Sequence, residues 1–79
     1  LLEHNPQAAR DVLAVIRGQV VRLADFPLSA RPGRVKGTRE LVITGAPYIV
    51  PYYIHQDEIR VLAVLHAARK WPKRFKVGR

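Results

Sequence analysis

Residues 40–66 read ELVITGAPYIVPYYIHQDEIRVLAVLH, and the fold turns on whether this stretch is helix or sheet. β-Branched and aromatic residues dominate it, and turn-forming clusters cut it at Gly45-Ala46-Pro47 and Gln56-Asp57-Glu58. Runs of that composition between such clusters predict strands. Three segments result, Glu40–Thr44, Tyr48–His55 and Ile59–His66, with connections so short that they suit antiparallel neighbours. Ile59–Leu65 is apolar except for Arg60, the pattern of a strand buried on both faces, so it is expected at the centre of the sheet. Pro51 interrupts the middle run. Proline has no N–H to give to a ladder, so a bulge or an unpaired position is expected there. Alternation places Tyr48 and Tyr52 on one face and Tyr53 on the other.

Upstream, Asn5-Pro6 has the form of a helix start: asparagine caps orphan amides, and proline suits the first helical position. Ala9, Val12, Leu13, Ile16, Val20 and Leu23 then recur at helical spacing, which predicts one amphipathic helix over about residues 6–24. Leu1 to His4 read as the end of an earlier helix, so an N-terminally incomplete domain is expected over 1–79. Pro27, Pro32, Gly33 and Gly37 break the link from helix to sheet into a loop. That loop carries Arg31, Arg34, Lys36 and, at its end, Arg39. The fold class expected is α+β, a helix packed on an antiparallel sheet.

Composition narrows the function classes. The 79 residues include no cysteine, which excludes a disulfide framework and thiolate chemistry and suits a reducing, cytoplasmic setting. No apolar run approaches the roughly 18 residues of a membrane span. Charge is lopsided: residues 1–30 hold three cations and three acids, residues 31–79 hold eleven cations and three acids, and the whole carries +8. Such a field favours an anionic partner: nucleic acid, an acidic protein or a membrane surface.

No phosphate-binding glycine loop, metal-ligand spacing or nucleophile motif is present. His4, His55 and His66 are too scattered to suggest a metal site, and no cofactor is implied. His66 ends the last strand, with Arg69 three residues on and Arg39 at the start of the first. A histidine titrating near neutrality beside arginines fits RNA cleavage by its own 2′-hydroxyl, which needs proton transfer and a cation for the phosphorane. His66, Arg69 and Arg39 are therefore the candidate catalytic residues. The alternative is structural, with His66 bonded to backbone and Arg69 solvated. Arg31, Arg34, Lys36, Lys70, Lys73 and Arg74 are the candidate nucleic-acid contacts through phosphate, against the alternative of a solvated loop and tail. Trp71 is expected to clamp the C-terminal segment to the body of the domain.

Three segments resemble the RelE/ParE superfamily of bacterial toxins. Asn5-Pro6-Gln7-Ala8-Ala9-Arg10 is similar to the opening of that family's second helix. Gly37-Thr38-Arg39-Glu40-Leu41-Val42 with Pro47-Tyr48-Ile49-Val50-Pro51-Tyr52 resembles the start of its sheet, and Val61 through Pro72 its last strand and tail. The resemblance implies a four-stranded protein with a strand and a helix ahead of the helix seen here. It implies the toxin of a plasmid-stabilising type II toxin–antitoxin pair, held inactive in a hetero-oligomer by its cognate antitoxin. RelE-like members cut messenger RNA on the ribosome, which is the reading the residues favour. ParE-like members instead poison DNA gyrase. A small non-toxic RNA-binding protein is a third expectation. The ribonuclease branch carries an arginine in the middle strand, where this chain has Tyr48, and a His-Tyr pair at the end of the last strand. Here that end reads His66-Ala67-Ala68-Arg69.

Overall fold

The computed structural model describes residues 6–68 and Trp71. Helix α1 runs from Pro6 to Val21, and a 3-10 turn over Arg22–Ala24 extends it. Helix and turn together cover the span that the apolar spacing predicts. Five strands follow: β1 Arg31–Pro32, β2 Arg39–Val42, β3 Tyr48–His55, β4 Glu58–Val61 and β5 Leu65–His66. All pairings are antiparallel, in the order β1-β2-β3-β4, with β5 also on β3. The fold class is α+β, as expected.

Alternation along β3 decides what packs where. Val50 and Tyr52, both fully buried, lie on the face that meets the helix. Ile16 of α1 packs against Ile43 and Val50, flanked by Val12, Val20, Leu41, Ala46 and Tyr48. Leu23, Ala30 and Tyr52 form a second cluster, joined by Leu41 and Ile59. Leu41 belongs to both and makes the core continuous. Full burial of a large apolar side chain such as Ile16, Leu23 or Val50 contributes roughly 1.5–3 kcal/mol by leaving water. Leu13, expected on the buried stripe, is 52% exposed. It stands on the flank of α1, beside the stripe of Val12, Ile16 and Val20 that meets the sheet.

The expectation of a central, doubly buried third strand is overturned. The centre is β3, and the third run is split into β4 and β5, where Val61 and Val64 are 46% and 44% exposed. The split has a visible cause. β4 pairs with β3 as Tyr52↔Val61 through His55↔Glu58, whereas β5 pairs as Tyr48↔His66 and Ile49↔Leu65. The register therefore shifts by one residue between them, leaving Ala63 and Val64 opposite Val50. The Leu62 N–H donates to the Pro51 carbonyl at 2.9 Å, and the return bond that closes a ladder pair cannot form because Pro51 has no N–H. The bulge anticipated at Pro51 is thus displaced onto the neighbouring strand.

The turns follow their residues. Gln56 and Asp57 both have positive φ, 51° and 64°, the geometry of a tight two-residue hairpin that matches strand twist. At the other end of the sheet, the Gln19 side chain closes the open edge of β2. Its amide donates to the Thr44 carbonyl at 2.8 Å and accepts from the Thr44 N–H at 2.9 Å, as a paired strand would.

Candidate functional site

The candidate residues fall into groups on opposite faces of the sheet. Arg39 and Tyr52, paired across β2 and β3, point to the helix side and hold the segment that joins helix to sheet. Arg39 Nη1 donates to the carbonyls of Leu28 (3.3 Å) and Ala30 (2.8 Å), and the Tyr52 hydroxyl donates to the carbonyl of Pro27 at 2.7 Å. A loop without regular pairing has carbonyls to satisfy, and these two side chains satisfy three of them. Burial pushes the Tyr52 hydroxyl above its ordinary range, only partly offset by the nearby Arg39 charge and a bond from the Ala30 backbone.

His66 lies on the same face as Arg39, beside the other end of β3. Its ring meets Tyr48 edge-on, with centroids 5.6 Å apart. Its Nδ1 accepts the N–H of Ala68 at 3.1 Å, so the neutral ring carries its proton on Nε2. Arg39 stands opposite Tyr52 and His66 opposite Tyr48, on opposite flanks of β3. Strand rise and spacing then put their backbones roughly 16 Å apart. Arg69, the third catalytic candidate, lies outside the described residues, as do Lys70, Lys73 and Arg74.

On the other face the basic hairpin is organised by Glu40, whose side chain is only 3% exposed. Its Oε1 accepts from Arg31 Nη2 at 3.0 Å and Nε at 3.3 Å; its Oε2 accepts from the Arg34 backbone N–H at 2.8 Å and Nε at 3.1 Å. Both arginines remain about half exposed. The hairpin closes through Gly33 N–H to the Thr38 carbonyl at 2.7 Å, and Thr38 Oγ1 bonds the Val35 carbonyl. The Arg34 guanidinium lies 3.5 Å from the centre of the Trp71 ring, and Trp71 Nε1 donates to the His66 carbonyl at 3.2 Å. Trp71 is thus clamped to the body, and its partners are a strand-end carbonyl and the basic hairpin. Lys36 is exposed on that hairpin.

Burial is the largest influence on the Glu40 carboxyl and pushes it upward. The hydrogen bonds from Arg34 backbone and guanidinium and from Arg31, with the Arg34 charge, outweigh it and hold the group below the usual glutamate range. Sequence reading passed over Glu40 as a neighbour of Arg39. The available signal was a lone acid set among four cations between residues 31 and 40. Among the described residues no group of three or more His, Cys, Asp or Glu side chains is placed to hold a metal ion, and no helix is long and apolar enough to cross a membrane.

Comparison with known proteins agrees with this architecture. The family described as "ParE toxin of type II toxin-antitoxin system, parDE" matches residues 1–71. The chain is also similar to "Putative toxin Y4kP" of Sinorhizobium fredii, with 49% identity over 69 residues that cover 87% of this chain and 71% of that protein. No solved structure matches it significantly.

Proposed function

The chain belongs to the ParE toxin family of type II toxin–antitoxin systems, and from that premise we propose that it arrests growth by docking on DNA gyrase rather than by cutting RNA. Membership implies a cognate antitoxin as partner. Among the described residues, the observation that carries the choice of target is the separation of Arg39 from His66. Cleavage through a 2′-hydroxyl needs an acid or base and a phosphate-stabilising cation around one phosphate, within hydrogen-bond reach. Arg39 and His66 sit roughly 16 Å apart by strand geometry, and the Arg39 guanidinium is turned into the carbonyls of Leu28 and Ala30. His66 also spends Nδ1 on the Ala68 amide, which leaves Nε2 as the one ring nitrogen open to a substrate. A docking toxin asks for none of that convergence. It needs a rigid basic surface, and the Glu40-held hairpin is one.

The test is a paired reaction with purified toxin. In a gyrase assay, cleaved or linearised DNA should accumulate; in a translation mixture, primer extension should show intact message. Codon-positioned cuts in the message, with gyrase activity untouched, would reverse the assignment.

A further inference from the structure

We infer that Pro51 is a positioning residue that acts through strand register: by forcing the one-residue shift between β4 and β5, it holds His66 on the helix side and off the face that carries Glu40, Arg31 and Arg34. The inference concerns contacts within this chain and is independent of the gyrase reading.

This strand does not choose its own register. Val61-Leu62-Ala63-Val64-Leu65 is apolar at every position. A slip by one residue therefore exchanges one apolar side chain for another on each face, and alternation gives no preference. In the observed register Leu65 stands opposite Ile49 and His66 opposite Tyr48. Had the pairing of β4, which sets Val61 opposite Tyr52, simply continued, Val64 would stand opposite Ile49 and Leu65 opposite Tyr48. Both would again be apolar pairs. His66 would then fall opposite Pro47, which alternates onto the same face as Ile49 and Pro51. That is the face of Glu40, the partner of Pro51, and of Arg31, the partner of Glu40. One residue of slip is all that separates a His66 beside Tyr48 from a His66 on the basic face.

Pro51 supplies the preference that composition lacks. The Leu62 N–H donates to the carbonyl of residue 51, and in an uninterrupted ladder the Leu62 carbonyl would accept from the N–H of the same residue. Proline has no N–H, and its ring stands where the hydrogen would be. Pro51 is fully buried, so the ring cannot swing out to solvent and the neighbouring strand must yield. It does so by taking in one extra residue, with Ala63 and Val64 both opposite Val50. Such a bulge re-aims every side chain beyond it. The shifted register is then closed by the Ala67 N–H to the Pro47 carbonyl at 2.9 Å, by the edge contact of His66 with Tyr48, and by Trp71 Nε1 on the His66 carbonyl.

Nuclear magnetic resonance on the full-length protein tests this. Wild type should show Overhauser contacts between the rings of Tyr48 and His66. Pro51→Val, which restores the N–H, should lose them and show Tyr48 against Leu65 instead. Deleting Ala63 from that variant removes the extra residue and should bring His66 back to Tyr48. If Pro51 acted through packing alone, shortening the neighbouring strand would not rescue the contact. Deleting Ala63 with Pro51 retained presses an unshifted ladder onto the proline and should lower Tm, and adding Pro51→Val should raise it again. This melting comparison stands even where Pro51→Val alone folds poorly. Persistence of the Tyr48–His66 contact in Pro51→Val, its absence from the double variant, or a double variant no more stable than the deletion alone overturns the inference.

Discussion

Glu40→Gln tests the energetics of the basic face. The carboxylate accepts four hydrogen bonds, from the Arg34 amide, the Arg34 Nε and two Arg31 nitrogens. A glutamine keeps one oxygen, which can retain the amide bond, but turns an NH2 group toward the other guanidinium. At least one donor then faces a donor in a site only 3% exposed. Hydrogen bonds to a charged group are worth about 1.5–3 kcal/mol each, but both arginines are half in water and their share is discounted. A net loss of about 2 kcal/mol results, which for a domain of this size lowers Tm by roughly 8–16 °C. The pH dependence carries a sign. The folded-state pKa of Glu40 lies below its ordinary value, so its contribution is complete above about pH 4.3 and disappears as pH falls through the folded-state value. Urea unfolding followed by Trp71 fluorescence at pH 7 and again near pH 3 should therefore show a wide gap between wild type and variant at neutrality and a narrow one in acid. Equal stability at pH 7, or a gap that persists unchanged in acid, would refute the reasoning.

Three further outcomes follow from the geometry. Gln19→Ala, which uncovers both backbone groups of Thr44, should cost about 1–2 kcal/mol and speed hydrogen exchange at the Thr44 amide; Gln19→Glu, able only to accept, should fall between. Tyr52→Phe removes the bond to Pro27 and should cost about 1–2 kcal/mol. Because burial raises the Tyr52 pKa, wild type should lose stability above about pH 10 through this group, and the variant should lose less, as read by ultraviolet titration and alkaline melts. A Cβ at Gly33 would collide with Thr38 Oγ1 and lie 2.9 Å from the Thr38 carbonyl oxygen, so Gly33→Ala should destabilise by about 1–3 kcal/mol; a melt as stable as wild type would mean the hairpin closes differently.

The helix and the three β-rich runs were legible because apolar spacing is a local signal. The order of burial was not. Ile59–Leu65 looks central by composition, yet burial depends on which strand has neighbours on both sides, and β3 has them. Pro51 was correctly marked as a disturbance, but its effect falls on Leu62–Val64, since a missing donor is felt by the partner strand. At the site, the cations of the hairpin were visible and their organiser was not. Glu40 alternates onto the face away from the helix, where a sequence reading places solvated charge. Arg39 reads as a catalytic cation at the start of a strand, and only the path of residues 27–30 shows which carbonyls it meets.

The central claim is that the toxin acts by docking, and toxicity of His66→Ala tests it most directly. The substitution removes the exposed bond to Ala68 and an edge contact with Tyr48 and leaves the basic hairpin in place. Expressed at wild-type level without antitoxin, the full-length variant should still arrest growth, with message intact. Loss of arrest by a folded, equally abundant variant, accompanied by the disappearance of message cleavage seen with wild type, would contradict the account.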